Sequence, residues 1–278
     1  MEFIDTHQHL IFHNRFSYEW TKSIPALAKD DFILSDYKAI TNKKGIVGTL
    51  FMETAVDDSD YQTEARFISE LVGSDGMLGQ IASCRPEENS GFDAWVDECR
   101  KLSVVGFRRI LHVMPDELSQ SSNFRANVKK IGKEDLPFEI CVLARQLPIA
   151  ADLARSCDKQ RFVLNHCGVP DIAGEAFESW ATNIAKLAEL SHVTVKLSGL
   201  TAYCKPGTAT KATLLPWVSH VIETFGPERI VWGGDWPVVN LGSGLEDWIS
   251  ITRELLEDLS PDEQSAICQE NARTVYDI

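Results

Sequence analysis

Three observations predict a (β/α)8 barrel. Eight short runs of β-branched or apolar residues recur along the chain. Each is followed by a longer stretch whose apolar residues fall three and four apart, the spacing of an amphipathic helix. The length of 278 residues is also close to the roughly 250 typical of eight strand–helix units. An open doubly wound sheet is the competing architecture, but it usually needs fewer strands, and no G-x-G-x-x-G follows any of these runs.

In order, the predicted strands are Glu2 to His9, Ile46 to Glu53, Met77 to Ser83, Val104 to His112, Phe138 to Leu143, Arg161 to His166, Val193 to Ser198 and Ile230 to Asp235. The helical spacing between them is clearest in YQTEARFISELV, DAWVDECRKL, LPIAADLARSC, WATNIAKLAEL and LPWVSHVIETF. A last helix carries its own start signal in Ser260-Pro261-Asp262-Glu263, an N-cap followed by a proline at the first helical position and the capping-box glutamate. No Pro/Gly/Ser linker or low-complexity tract interrupts the pattern, so residues 1–278 read as one domain.

Composition narrows the partners. Lys and Arg total 27 against 41 for Asp and Glu, a formal net charge of −14, which disfavours a broad grip on nucleic acid or an anionic membrane. A local basic pocket for one small anion stays open. The seven cysteines are odd in number and form no C-x-x-C, so they read as reduced thiols of a cytoplasmic protein. The N-terminus has no basic segment leading into a long apolar one, and no stretch approaches the length of a membrane span.

In such barrels chemistry sits at the carboxyl ends of the strands and in the loops that follow. The first strand ends Asp5-Thr6-His7-Gln8-His9; strict alternation puts Asp5, His7 and His9 on one side, and if Ile4 packs against the helices both imidazoles enter the barrel mouth. His166 closes the sixth run and Asp235 the eighth. Three imidazoles and a carboxylate converging on one cavity suit binding a divalent metal, or polarising a carbonyl while activating water.

The motifs FIDTHQHL, VLNHCGVPDI and VWGGDWPV together resemble the amidohydrolase superfamily. More narrowly, the chain is similar to its lactonase branch, which includes L-fuconolactonase-like and other sugar-acid lactone hydrolases and 2-pyrone-4,6-dicarboxylate lactonase. VVGFRRIL, FEICVLARQLP, VTVKLSGL, FGPERIVWGGDWPV and ENARTVYDI match segments of that branch in order, so the likeness spans nearly the whole chain. The resemblance implies a hydrolase in which His7, His9 and His166 polarise a lactone carbonyl, directly or through one bound metal. Asp235 would be the general base, and Arg108, in the G-x-R of the fourth strand, would contact the substrate. It implies either no cofactor or a single divalent cation, zinc foremost, on His7, His9 and Asp235. The fifth run, FEICVL, offers Cys141 and Leu143 where metal-dependent decarboxylases of the superfamily place a histidine, and no bridging ligand for a second metal is present there.

Other polar residues carry two readings each. Lys196 should face the barrel, as a substrate contact or as an interior ion pair, since an unpaired buried ammonium is costly. Arg145 is an anion contact or a loop anchor, and His112 a cavity contact or surface residue. Trp236 would stack on a ring or exclude water, and Trp20 in the long first loop, near Tyr18, His13 and Arg15, would roof the pocket. Glu53 extends a metal site or, the favoured reading, serves as a hydrogen-bonding wall residue. His192 and His220 read as structural, and Cys167 as a core thiol turned away from His166 by strand alternation. The expected partner is a small lactone, with no nucleic acid and no membrane. The rivals are a TatD-like metal-dependent nuclease, which also opens with D-T-H-x-H, a decarboxylase of the same superfamily, and a non-catalytic binding barrel.

Overall fold

All eight runs become parallel strands in a computed structural model that describes residues 1–278. They are β1 (Phe3–Gln8), β2 (Ile46–Met52), β3 (Met77–Ser83), β4 (Val104–Ile110), β5 (Phe138–Cys141), β6 (Phe162–Leu164), β7 (Val193–Ser198) and β8 (Ile230–Gly233). Each pairs with the next in chain order. The helices are α1 (Leu34–Thr41), α2 (Tyr61–Ser69), α3 (Phe92–Cys99), α4 (Ser122–Lys133), α5 (Leu147–Ser156), α6 (Phe177–Ala188), α7 (Lys211–Phe225) and α8 (Leu245–Leu255). After them come α9 (Pro261–Ser265), whose Ser260–Glu263 capping box forms as expected, a π turn, and α10 (Asn271–Tyr276). No helix is long and apolar enough to cross a membrane.

Two apolar layers follow from strand alternation. Phe3, Phe107, Trp232 and their neighbours face outward into the strand–helix core with Trp180 and Trp248. Ile4, Leu50, Met52, Ile81, Val163 and Val231 face inward and form a separate cluster, plugged by Ala272 and Tyr276 of α10. Each such fully buried side chain contributes on the order of 1.5–3 kcal/mol through water exclusion.

Strict alternation in β1 does not hold, and the expected placement of Ile4 and Asp5 is reversed. Ile4 lies inside the barrel. Asp5 turns toward the helices, where the Tyr37 hydroxyl of α1 donates to its Oδ2 at 2.6 Å. The pairing with β2 runs Asp5 to Thr49 and then Gln8 to Phe51, three steps on β1 against two on β2. This bulge shifts the side-chain phase, as an inserted residue must, and delivers His7 and His9 to the mouth although Asp5 points away.

The ring closes where β8 meets β1, and it closes beyond the last regular pair of β8. The Asp235 N–H donates to His7 O and the His9 N–H to Trp236 O, both at 2.8 Å. Thr6 Oγ1 donates to Trp232 O at 2.7 Å. Asp5 Oδ1 accepts the N–H groups of His7 at 2.9 Å and Gly234 at 2.7 Å.

Candidate active site

The Gly233-Gly234 pair lets β8 approach β1 this closely. A Cβ on Gly233 would stand 2.7 Å from His7 Cβ, and one on Gly234 would strike the Asp5 carboxylate. The chain then enters the left-handed region at Asp235, with φ 59°. His166 does the same just after β6, at φ 50°. Both side chains are thus aimed by turns beyond the strand ends, in backbone that residues other than glycine rarely adopt and that clusters at functional sites.

The four residues converge. Asp235 Oδ1 is 3.6 Å from His7 Nε2 and 3.5 Å from His9 Nε2, and its Oδ2 is 3.9 Å from His166 Nδ1. The His7 ring centre is 4.9 Å from that of His9 and 4.5 Å from that of His166. Ser198 Oγ lies 2.9 Å from His166 Nδ1.

Hydrogen-bond partners assign the protons. Met52 O can only accept, so His9 Nδ1, 3.0 Å away, carries the hydrogen and a neutral His9 has a lone pair at Nε2. Arg108 can only donate, so His7 Nε2, 3.4 Å from Nη1, is likewise an acceptor. Two nitrogen lone pairs therefore face one carboxylate oxygen, a repulsive arrangement unless a proton or a cation lies among them. The ligand atoms of His7, His9 and Asp235 fall within 4.8 Å of one another. The two separations from Asp235 Oδ1 to the imidazole nitrogens, 3.6 and 3.5 Å, match the roughly 3.4 Å edge of a tetrahedral site with bonds of about 2.1 Å. The donor set fits one divalent cation, and the Met52 carbonyl supplies the backing hydrogen bond that orients a ligating imidazole.

Burial, reinforced by the charges of His166, Lys196, His9 and Arg108, holds His7 well below the usual imidazole range. Burial likewise lowers His166 to about 4, against the pull of Asp235. Both are neutral at neutral pH. Arg108 is spoken for: its Nε donates to Glu53 Oε1 and its Nη2 to Glu53 O, each at 2.6 Å. Burial pushes the Glu53 carboxyl up, but Arg108, the Ala55 N–H and Arg85 outweigh it, so the group stays ionised and below its ordinary range. The mouth is consequently less cationic than a count of its basic residues implies.

These groups open into a cavity of about 370 Å³ at the carboxyl end of the strands, within the size range of small-molecule sites. His9, Arg108, His112, His166, Tyr203 and Asp235 supply its polar wall. Trp20, Ile110, Leu143, Val169 and Val238 supply most of its apolar one. His7 sits fully buried beside it.

A family model described as Amidohydrolase matches residues 4–278. The chain belongs to the amidohydrolase family. It is 25% identical to an L-fucono-1,5-lactonase of Burkholderia multivorans, over 98% of this chain and 95% of that one. It is 22% identical to an L-rhamnono-gamma-lactonase of Scheffersomyces stipitis, over 74% and 66% respectively. A crystal structure of an amidohydrolase from Burkholderia multivorans with bound Zn superposes over the full length of both chains with a TM-score of 0.91 at 24% identity.

Three residues expected at the substrate lie elsewhere in this amidohydrolase. Lys196 does point into the barrel, but below the cavity: Nζ donates to both Glu139 carboxylate oxygens and to Thr6 O, all at 2.8 Å, and is fully buried. It is the interior ion pair, because a buried ammonium must spend its donors on protein acceptors. Arg145 is exposed and anchors its loop to Asp116 at 2.7 Å. Trp236 is buried edge-on against Phe32 and Tyr37, since the chain turns at Asp235 and sends the next side chain behind the wall.

Trp20 reaches the cavity, held by its Nε1 donating to Thr54 O at 3.0 Å. Its neighbours do not: Tyr18 is buried beneath the loop, His13 is bound to Leu27 O, and Arg15 lies over the Phe67 ring. His192 and His220 bond to backbone carbonyls outside the cavity, at 3.1 and 3.0 Å. Cys167 is buried toward Lys196 O, turned there by its left-handed backbone rather than by strand alternation. Tyr203, in the loop after β7, was not singled out from sequence. Its ring lies edge-on to His166, and burial, then the Asp235 charge, holds its hydroxyl well above the usual range and therefore protonated. Its place in the loop that follows β7 is the available signal.

Proposed function

We propose that this amidohydrolase opens a sugar-acid lactone by attack of water on the ring carbonyl. The observation that carries the reading is the Asp235 carboxylate lining the cavity, 3.5–3.9 Å from three imidazole nitrogens, two of them neutral by burial. The lactonase names of the relatives support the substrate class. Asp235 Oδ2 takes the proton of the attacking water. Tyr203 O–H and the His166 ring line the same cavity and face the oxyanion that develops on the carbonyl, where a preorganised donor contributes most. His7 and His9 offer acceptors rather than donors at Nε2, so they act with Asp235 by sharing a proton or by holding a metal. A divalent cation on His7, His9 and Asp235 would polarise the carbonyl and acidify water when bound. Arg108, fixed by Glu53, maintains the wall and donates to His7.

The test is a panel of sugar lactones followed with a pH indicator, with and without chelator, on the wild type and Asp235→Asn. The variant should lose about 10²–10⁴-fold in turnover. Near wild-type turnover by Asp235→Asn would remove the base from the reading.

A further inference from the structure

Two cavity groups are not used by the steps above. His112 follows β4 and Cys141 ends the adjacent β5, and both line the cavity. Cys141 grips His112 twice. Its carbonyl accepts the His112 backbone N–H at 3.2 Å, together with that of Leu111 at 2.9 Å, and its Sγ lies 3.3 Å from His112 Nδ1. Burial pushes the Cys141 thiol up to about 12 despite Arg108, so the sulfur keeps a proton that it can donate to Nδ1. Burial and then Arg108 hold His112 below the usual imidazole range, so the ring is neutral. A neutral imidazole that accepts at Nδ1 carries its hydrogen on Nε2. No protein atom hydrogen-bonds to that Nε2, nor is it sealed in the interior. In the ring of eight strands β4 stands across from β8, which places His112 across the mouth from Asp235.

We propose that Cys141 is a positioning residue that locks His112 in its Nε2–H tautomer, and that His112 Nε2–H donates to the ring oxygen of the lactone, the atom that leaves. The inference rests on the lactonase reading. Water oxygen bonds to the carbonyl carbon as its proton passes to Asp235. The bond from that carbon to the ring oxygen then breaks, and the electron pair stays on the oxygen, which His112 stabilises. The alkoxide takes a proton from solvent, Asp235 returns its own to solvent, and the new carboxylic acid releases its proton, leaving a hydroxycarboxylate.

Two side-chain series and one spectrum test this. Glutamine places an amide N–H near the position of Nε2, whereas asparagine reaches only that of Nδ1. His112→Gln should stay within about tenfold of wild-type kcat. His112→Asn and His112→Phe should lose about 10²–10³-fold, with KM changing far less, the pattern of an interaction made in the transition state. Cys141→Ser, which keeps a donor, should stay within about threefold, and Cys141→Ala should fall further. Two-bond ¹H–¹⁵N spectra of ¹⁵N-histidine-labelled protein, with His112 assigned through His112→Gln, should show the Nε2–H tautomer in the wild type and Cys141→Ser, and both tautomers in Cys141→Ala. An Nδ1–H tautomer in the wild type, equal losses in the Gln and Asn variants, or wild-type kcat in His112→Phe would overturn the proposal. If the wild type opens no lactone, the functional reading fails, and the spectrum still decides the tautomer.

Discussion

Lys196→Met tests the reassignment of that lysine from substrate contact to interior ion pair. Lys196 Nζ supplies three contacts of 2.8 Å in a fully buried setting. Its partner Glu139 also accepts from the Tyr276 hydroxyl at 2.6 Å and from the Asn165 amide, so removing the ammonium strands a charge that the rest of the network was built around. Breaking one side of a buried pair typically costs about 3–5 kcal/mol, because the remaining ion is left uncompensated. Unfolding entropy of about 2.1 cal/mol/K per residue amounts to roughly 0.6 kcal/mol/K over this chain, so the thermal midpoint should fall by about 5–8 °C. Scanning calorimetry on wild type, Lys196→Met, Glu139→Gln and the double variant completes the test. In the Glu139→Gln background no charge is left behind, and the cost of Lys196→Met should shrink by at least about 1.5 kcal/mol. Additive losses, or a single-variant cost under about 1 kcal/mol, would refute the argument.

Gly199→Ala should abolish most activity while the protein still folds. Gly199 has φ 63°, and an added Cβ would lie 2.2 Å from Asp235 Oδ2, so the carboxylate must move; turnover on a lactone, with circular dichroism as control, reads this. Glu64 is buried and accepts the Thr54 N–H at 3.1 Å, and burial followed by the Glu53 charge raises its pKa well above the usual carboxylate range. Its contribution to stability is full below the unfolded-state pKa and is lost as pH rises through the folded one, because the folded chain keeps a proton that the unfolded chain releases. Glu64→Gln should therefore gain stability relative to wild type between pH 5 and pH 8 in urea titrations; an unchanged gap would contradict it. Zinc titrated into chelator-treated protein should bind with no more than one tight equivalent, and calorimetry should lose it in His9→Ala.

The strands were legible because Val, Ile and Phe runs such as VVGFRRI and IVWG suit a sheet buried on both faces. His7, His9, His166 and Asp235 were legible for a second reason: polar residues that end apolar runs have few structural uses in a barrel. What alternation could not supply was phase. The β1 bulge and the left-handed turns at His166 and Asp235 each redirect a side chain, and so Asp5 and Trp236 point away from the cavity. Partnerships between distant strands were equally hidden. Nothing near Lys196 in sequence announces Glu139, and nothing near Cys141 announces His112.

The closure of the ring has one more consequence. The bonds that shut the cylinder are made by the backbone of His7, His9, Asp235 and Trp236, at the same place where the reacting side chains meet. Any breathing of this last joint draws the base away from its imidazoles while the other seven strand pairs stay intact. The molecule can therefore fall silent long before it melts, and mutations that merely loosen the joint will look catalytic although they touch no reacting atom.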